Sequence, residues 1–568
     1  MDKFQSTAPT SPRVLFINPP SIPYTHVMDA LGNRELDIPQ PISMPMGILY
    51  LSAVLERDIP GVRIVIADLA RAIRDFAESA DRHDTTFDEF VTDALTGLVP
   101  AEFEPDFIGI SILFSTAHKS TGHIAEAARR RWPDAPIVVG GMHATNAVAS
   151  LLEMPAISHV CRGEAESIIS TLLRTVMAKG DCEAIPGVFG RTKLAKVTGK
   201  PCENAPTIDD LDQIPFPAWH LLPMEKYVHS LRSRARHVGD DADASREATV
   251  ITTRGCPFSC TFCSSWTVHG RQMRFRSTAN IVSEIEILNT RFGVNVIVPE
   301  DDLFTVKKSR ILELCSSITE RFGQTLQFQF PAGLSVATLD EDVIQAMADM
   351  GMKVANIAIE SGSPYVQRHI IKKNCNVERA RHVVKTCSDL GIITRAYFVV
   401  GFPGETVAHI RETFDYARTI ASDWNVFMIA APLVGSEMYQ QMLDRGDIGS
   451  DYNWDSAFFQ ERRFDTAEVR AEDLKNMVYD ANIRINFFAN HNIRSKKYGK
   501  AIDLFSNIIH TYRGHLAAHY CIGMVHKLMG NMDEWKASIE VCRGLLAGEE
   551  HKMAHQQMAQ FPELFSDL

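Results

Sequence analysis

The chain holds 568 residues, 45% of them hydrophobic and 23% charged. At about 150 residues per domain this allows three or four domains with ample cores. Such a composition excludes a disordered or collagen-like chain, and no stretch approaches the ~18 uninterrupted apolar residues of a membrane-spanning helix. Net charge is −12, from 58 basic and 70 acidic residues, a balance that speaks against non-specific nucleic-acid binding. The opening residues MDKFQSTAPTSPR contain no apolar run of the kind a secretory signal needs, so a cytoplasmic protein is expected. The 11 cysteines are odd in number, and structural disulfides are not expected in a reducing compartment.

Residues 12–170 read as one domain of alternating strands and helices. Short apolar runs at Val14–Ile17, Val62–Ala67, Asp106–Ser111, Pro136–Val139 and His159–Cys161 are the strands, with helical patterns such as Gly122–Arg131 between them. This rhythm predicts a parallel, doubly wound sheet. Ligands of such sheets sit at the carboxyl ends of the strands, which here carry Asn18, Ser111, Gly140 and Gly141.

Residues 171–247 read as a connector, proline-rich at Ile214–Trp219 and polar from Arg232 to Arg246. The polar part has the composition of a flexible loop or lid. A second alternating series spans 248–440, with strands at Thr249–Thr253, Val294–Val298, Leu326–Phe330, Val354–Ile359, Thr394–Val400 and Val426–Ala430. Helical segments such as Ile281–Arg291 and Arg310–Arg321 separate them. Six βα units predict a partial (β/α)6 barrel with its chemistry at the strand carboxyl ends. From 441 to 568 the pattern is helical. Within it, Tyr498-Gly-Lys-Ala501…Phe505…Ile509 and Ile522-Gly523…Trp535…Ala537 resemble tetratricopeptide units, too few for a free-standing scaffold. A packed helical tail is expected.

Three cysteines follow the first strand of the second series, in Cys256-Pro-Phe-Ser-Cys260-Thr-Phe-Cys263. Chance would produce this spacing in on the order of 0.4% of such chains. Three thiolates on one loop suit a soft metal centre. A zinc knob would need a fourth ligand, with His269 as the remote candidate. An iron–sulfur cube on three thiolates would instead leave one iron open to an exogenous ligand.

The spacing C-x3-C-x2-C with Phe262 before the last cysteine resembles the signature of radical S-adenosylmethionine (SAM) enzymes. The resemblance implies a [4Fe-4S] cluster on Cys256, Cys260 and Cys263, whose open iron chelates SAM for one-electron cleavage to a 5′-deoxyadenosyl radical. Later segments follow in the family's order: Glu300-Asp301-Asp302, Glu360-Ser361-Gly362, Arg395, Gly401-Phe-Pro-Gly404 and Pro432-Leu-Val-Gly435-Ser436. By this resemblance Phe262, Asp302, Glu360, Ser361, Arg395 and Gly401 are the expected SAM-binding residues. Carboxylates suit its ammonium and ribose hydroxyls, an arginine its carboxylate, and glycine lets the backbone approach.

The first domain resembles the Rossmann-like cobalamin-binding domain of the cobalamin-dependent members of that family. The elements carrying the likeness are Asn18-Pro-Pro20, Asp68, Gly109–Leu113, Gly140-Gly141 and Gly163-Glu-Ala-Glu166. They make Asn18, Ser111, Leu113, Gly140, Gly141 and Glu164 the expected cobalamin contacts. The D-x-H-x-x-G pattern of many such domains is missing after the first strand. Its nearest match, Asp81-Arg82-His83, lies after the second strand, so a cobalt without a histidine ligand below is expected. His26 and His143 are the outside candidates for that ligand. No G-x-G-x-x-G or G-x4-G-K-[ST] is present to favour a dinucleotide or triphosphate.

The resemblance therefore implies a cobalamin-dependent radical SAM methyltransferase acting on an unactivated carbon of a small-molecule or natural-product substrate. The alternative keeps both cofactors but performs cyclisation, ring contraction or oxidation. A methylthiotransferase acting on tRNA is disfavoured, because no cysteine precedes Cys161 to hold a second cluster. Expected partners are a flavodoxin or ferredoxin-type electron donor and, through the helical tail, a carrier protein.

Overall fold

The computed structural model describes residues 11–32, 43–79, 85–196, 202–228, 245–373, 375–456, 459 and 462–568. The polar stretch 232–244 and the Asp81-Arg82-His83 pattern lie outside them.

The amino-terminal apolar runs form β1 (Arg13–Asn18), β2 (Arg63–Asp68), β3 (Phe107–Ser111), β4 (Ile137–Gly140), β5 (His159–Cys161) and β6 (Val188–Phe189). Their order is β2-β1-β3-β4-β5-β6. The first five are parallel and β6 joins antiparallel to β5. The order reverses between β1 and β3, so the crevice at their carboxyl ends is the topological switch point where such sheets bind ligands. Asn18 and Ser111 end these two strands. β6 belongs to the segment read as connector, which thus contributes a strand to this sheet. Its two residues, Val188 and Phe189, gave too short an apolar run to register.

The second series forms β7 (Glu247–Val250), β8 (Thr253–Arg254), β9 (Arg274–Phe275), β10 (Val296–Pro299), β11 (Gln327–Gln329), β12 (Leu334–Ser335), β13 (Met352–Glu360), β14 (Ile393–Val400) and β15 (Trp424–Ile429). β7-β10-β11-β13-β14-β15 make one parallel sheet, β12 pairs with β13, and β8-β9 form a separate antiparallel pair. Near-continuous apolar strands covered by helices are what an all-parallel sheet requires. On β14, Ala396, Phe398 and Val400 share the core formed with Val383, Val384 and Ile410 of the helices. By the two-residue period, Arg395 and Tyr397 then face the opposite, inner side.

The helix Met46–Asp58 fastens the two sheets together. Its Leu49 and Tyr50 join the barrel core, while Ile48, Val54 and Leu55 pack on the first sheet. Sharing one buried helix between two cores gives the interface an apolar part.

The helical tail closes the open edge of the second sheet. Helix Ala471–Ile483 starts at the carboxyl end of β14, where a Cβ on Gly401 would lie 2.5 Å from Leu474. Just beyond its other end, Asn486 accepts the Asn425 amide of β15. Covering an edge strand in this way removes a pairing hazard. Helices Tyr498–Thr511, Leu516–Met529 and Met532–Ala547 follow. Gly523 lets the last two approach: a Cβ there would meet the Trp535 ring at 2.9 Å. No described helix is long and apolar enough to cross a membrane.

Candidate functional site

The three cysteines sit on a loop leaving β8. Gly255, at φ 92°, makes the turn, and a Cβ there would stand 2.3 Å from the Gln272 carbonyl oxygen, so only glycine fits. The Cys256 amide donates to the Gly270 carbonyl at 3.3 Å, and the Cys263 amide to Cys260 at 3.2 Å. Thr261 anchors the loop from three directions. Its amide donates to Ile371 at 3.1 Å, its hydroxyl donates to Ile370 at 3.0 Å, and its carbonyl accepts the Met438 amide at 2.8 Å. Phe262 packs on Phe402 with ring centroids 5.7 Å apart. The cysteine loop is thereby tied to the segments after β13, β14 and β15, the same segments that resemble the later family motifs.

All three thiols are half-buried and free. Burial pushes the Cys260 thiol up to about 11; the Lys373 cation opposes this, and Cys263, Glu360 and Cys256 add to it. The Cys256 thiol is likewise raised, first by burial, with Cys263 and Asp302 contributing. The thiols are thus close enough to feel one another, and a cationic centre is what would let them ionise together. This donor set fits an iron–sulfur cluster. A zinc knob would need a fourth ligand. The His269 ring is engaged elsewhere, its Nδ1 2.7 Å from Glu164.

Around this loop the expected SAM contacts fall into two groups. Asp302, exposed after β10, and Glu360, at the end of β13, both act electrostatically on the cysteines. Glu360 adopts φ 68°, a left-handed conformation that costs a non-glycine residue of order 1–3 kcal/mol and clusters at functional sites. Arg395 lies on the inner face of β14, and burial lowers its pKa. The Ser361 hydroxyl, by contrast, is spent inside the protein, on Thr413 at 3.0 Å and on the Ser363 amide at 3.1 Å. The Gly401 amide donates to Glu405 at 2.6 Å and its carbonyl accepts from Arg462 at 2.9 Å. The sequence had grouped Asp301 with Asp302. The structure separates them: Asp301 is buried and accepts the Thr252 and Thr253 amides at 2.6 and 2.8 Å, holding the strand that leads to the cysteines.

Sequence reasoning missed Lys373. Its Nζ lies 2.7 Å from Glu360 Oε1 in a nearly buried pair, and its charge reaches Cys256 and Cys260. The only signal was the pair Lys372-Lys373 shortly after the Glu360 motif.

At the first sheet, Asn18 donates to Asp68 at 2.8 Å, and Asp68 accepts from Tyr227 at 2.5 Å. Ser111 and Gly140 end paired strands side by side. Gly141, at φ 102°, packs against the Ile112 carbonyl too tightly for any Cβ. Leu113 and its neighbour Phe114 stand 57% and 48% exposed at this carboxyl edge. Such a bare apolar pair suits cover by a flat macrocycle. Glu164 has other partners than an open ligand face. It is buried, bonded to Arg254 at 2.9 Å, to Arg274 and to His269. Burial works to raise its carboxyl, and the hydrogen bonds from His269 and Arg274 with the Arg254 charge overcome that and hold it below the ordinary carboxylate range. His143 is buried with both ring nitrogens engaged, 2.9 Å from His118 and 3.0 Å from Ser115. Trp454 closes over both imidazoles, 4.4 and 5.1 Å between centroids.

Fold and site together define a two-domain enzyme class, in which a three-cysteine loop on a parallel barrel is docked against the ligand-binding edge of a doubly wound sheet. Residues 250–417 match the family model for the radical SAM superfamily, and residues 99–173 match that for the B12 binding domain. The chain thus carries a radical SAM domain and a B12-binding domain, the pairing of the cobalamin-dependent radical SAM enzymes that it resembles. It is 28% identical to the cytidylyl-2-hydroxyethylphosphonate methyltransferase of Streptomyces wedmorensis over 77% of this chain and 82% of that protein. The fold resembles the radical SAM methyltransferase TsrM from Kitasatospora setae, solved with cobalamin and a [4Fe-4S] cluster, at TM-score 0.57 and 18% identity, over 76% of this chain and 75% of that one. It also resembles the cobalamin-dependent SAM radical enzyme OxsB, at TM-score 0.62 and 14% identity, over 98% and 84% of the two chains.

Proposed function

We propose that the chain is a cobalamin-dependent radical SAM methyltransferase that places a methyl group on an unactivated carbon of a small molecule. The observation that carries this reading is the half-buried loop of Cys256, Cys260 and Cys263, docked against the ligand-binding edge of a B12-type sheet. When bound, the cluster and the corrinoid supply reductive cleavage of SAM and carriage of a methyl group.

The chain's own part is binding, orientation and exclusion of water. Cys256, Cys260 and Cys263 would hold the cluster. Asp302, Glu360 and Arg395 offer SAM two carboxylates and a guanidinium, and Phe262 and Gly401 shape the approach. Ser361 acts through the turn it braces. Asn18, Ser111, Leu113, Gly140 and Gly141 form the corrinoid edge, while Glu164 is bonded to Arg254, His269 and Arg274 of the barrel. His143 has both ring nitrogens committed to His118 and Ser115, so it would bind a corrinoid only by giving up one of these partners.

The substrate stays at the level of a small molecule, since nothing in the site selects one. A low-potential flavodoxin or ferredoxin is the electron source in this reading, and the cytoplasm its compartment. Carrier docking through the tail is a subsidiary part of it. The tail is anchored at Asp423 and Asn425, at the amino ends of β14 and β15 and away from the cysteine loop, so a carrier bound there must present its cargo around the barrel. Product analysis tests the function. Methyl transfer requires S-adenosylhomocysteine to accumulate alongside 5′-deoxyadenosine; turnover that gives the nucleoside alone would sink it in favour of cyclisation or oxidation.

A further inference from the structure

The neck of the cysteine loop contains a conflict that the barrel cannot resolve by itself. β8 and β9 close that neck, and their register sets Arg254 directly opposite Arg274. Like charges facing each other across an antiparallel pair are destabilising, and these side chains are only 7% and 5% exposed. Two guanidiniums cannot lose their charge at any relevant pH.

The compensating charge comes from the other domain. Glu164 Oε2 accepts from both Arg254 and Arg274 at 2.9 Å, and its Oε1 takes a second bond from Arg274 and one from His269 at 2.7 Å. Glu166 accepts from Arg254 at 2.6 Å. Arg254 lies two residues before Cys256, His269 lies six after Cys263, and Arg274 follows at the far side of the neck. One carboxylate therefore grips the loop at its entry, its interior and its exit. Asn204 and Asn146, also outside the barrel, add bonds to Thr267 at 2.7 and 2.9 Å.

We infer that Glu164, assisted by Glu166, is a positioning residue that closes the neck of the cysteine loop, so that the barrel completes its cluster site only when the first sheet is docked on it. The placement of the three thiols is thereby referenced to the carboxyl edge of the first sheet and not to the barrel alone. The consequence for catalysis rests on reading this loop as the cluster site; the closure of the neck does not.

The test uses the full-length chain as Glu164→Gln, Glu164→Asp and Glu166→Gln, each keeping a polar side chain. Amide hydrogen exchange is followed by mass spectrometry before and after loading with iron, sulfide and hydroxocobalamin. In loaded protein, the distance distribution between the reduced cluster and cob(II)alamin is read by pulsed paramagnetic resonance. Glu164→Gln is expected to speed exchange across 254–275 at least tenfold, while 107–111 and 296–299 keep wild-type rates. The interspin distribution should broaden at wild-type iron content. Glu166→Gln should lie between, and Glu164→Asp should recover part of the protection. Unchanged exchange at the neck, or acceleration spread evenly over the chain, overturns the inference, because a residue that only adds general stability would give the latter. If Glu164→Gln is insoluble, Glu166→Gln carries the same comparison. A wild-type chain that takes up no cluster would refute the functional reading, and the exchange contrast would still decide the closure of the neck.

Discussion

Lys373 Nζ stands 2.7 Å from Glu360 Oε1, with the two side chains 12% and 9% exposed. One end of this pair is a strained residue at φ 68°; the other is a cation felt by Cys256 and Cys260. Removing one member of a buried pair leaves an uncompensated charge and costs about 3–5 kcal/mol. Lys373→Met should therefore lower stability by roughly 3 kcal/mol in urea unfolding. The double variant with Glu360→Gln should lose less than the sum of the singles, since contacting residues couple by about 0.5–3 kcal/mol. Strict additivity would show that the pair is not formed.

Gly255→Ala is expected to disable the cysteine loop. The position needs both φ 92° and the 2.3 Å approach to Gln272. Its iron content after anaerobic reconstitution should fall below half of wild type. Normal iron content would mean that the loop tolerates a different turn.

Acid should weaken the first domain before it weakens the barrel. Burial depresses His118 to about 4 and His143 to about 3, with Lys119 and His118 respectively adding to the effect. Unfolded, these rings would bind protons below about 6.5, so the unfolded state takes up more protons and stability falls as pH drops from about 6.5 toward 4. His143→Gln should flatten that slope in unfolding measured from pH 7 to 4.5. An equal slope in the variant would remove the imidazole pair as its source.

Lys500→Met is expected to loosen the tail without disturbing cofactor loading. Asp423 is fully buried, accepts the Thr394 amide at 2.7 Å and Asn492 at 3.0 Å, and pairs with Lys500 at 2.8 Å. Loss of the cation should cost about 3 kcal/mol with iron and corrinoid per chain unchanged. Selective loss of turnover on a carrier-bound substrate would instead support docking through the tail.

Much of this was legible in the chain itself, for physical reasons. Buried parallel strands such as Phe107–Ser111 and Met352–Glu360 read as apolar runs, and their alternation with helices specified the two parallel sheets. The cysteine loop was legible because a cluster fixes its ligands at short spacing. What the sequence hid depends on contacts between distant segments. Glu164 and Arg254 are 90 residues apart, and nothing local marks their pairing, so Glu164 read as a ligand contact. The two-residue strands β8 and β9 carry Arg254 and Arg274, which no strand pattern favours. Ser361 sat in a recognisable motif, yet only the fold shows its hydroxyl turned to Thr413.

The most direct test is to purify the chain anaerobically, reconstitute it with iron, sulfide and hydroxocobalamin, and measure bound corrinoid and 5′-deoxyadenosine in wild type and Cys260→Ala. Stoichiometric corrinoid, with nucleoside formation that disappears in the variant, is the expected result. Nucleoside without bound corrinoid, or equal nucleoside from Cys260→Ala, would contradict the account.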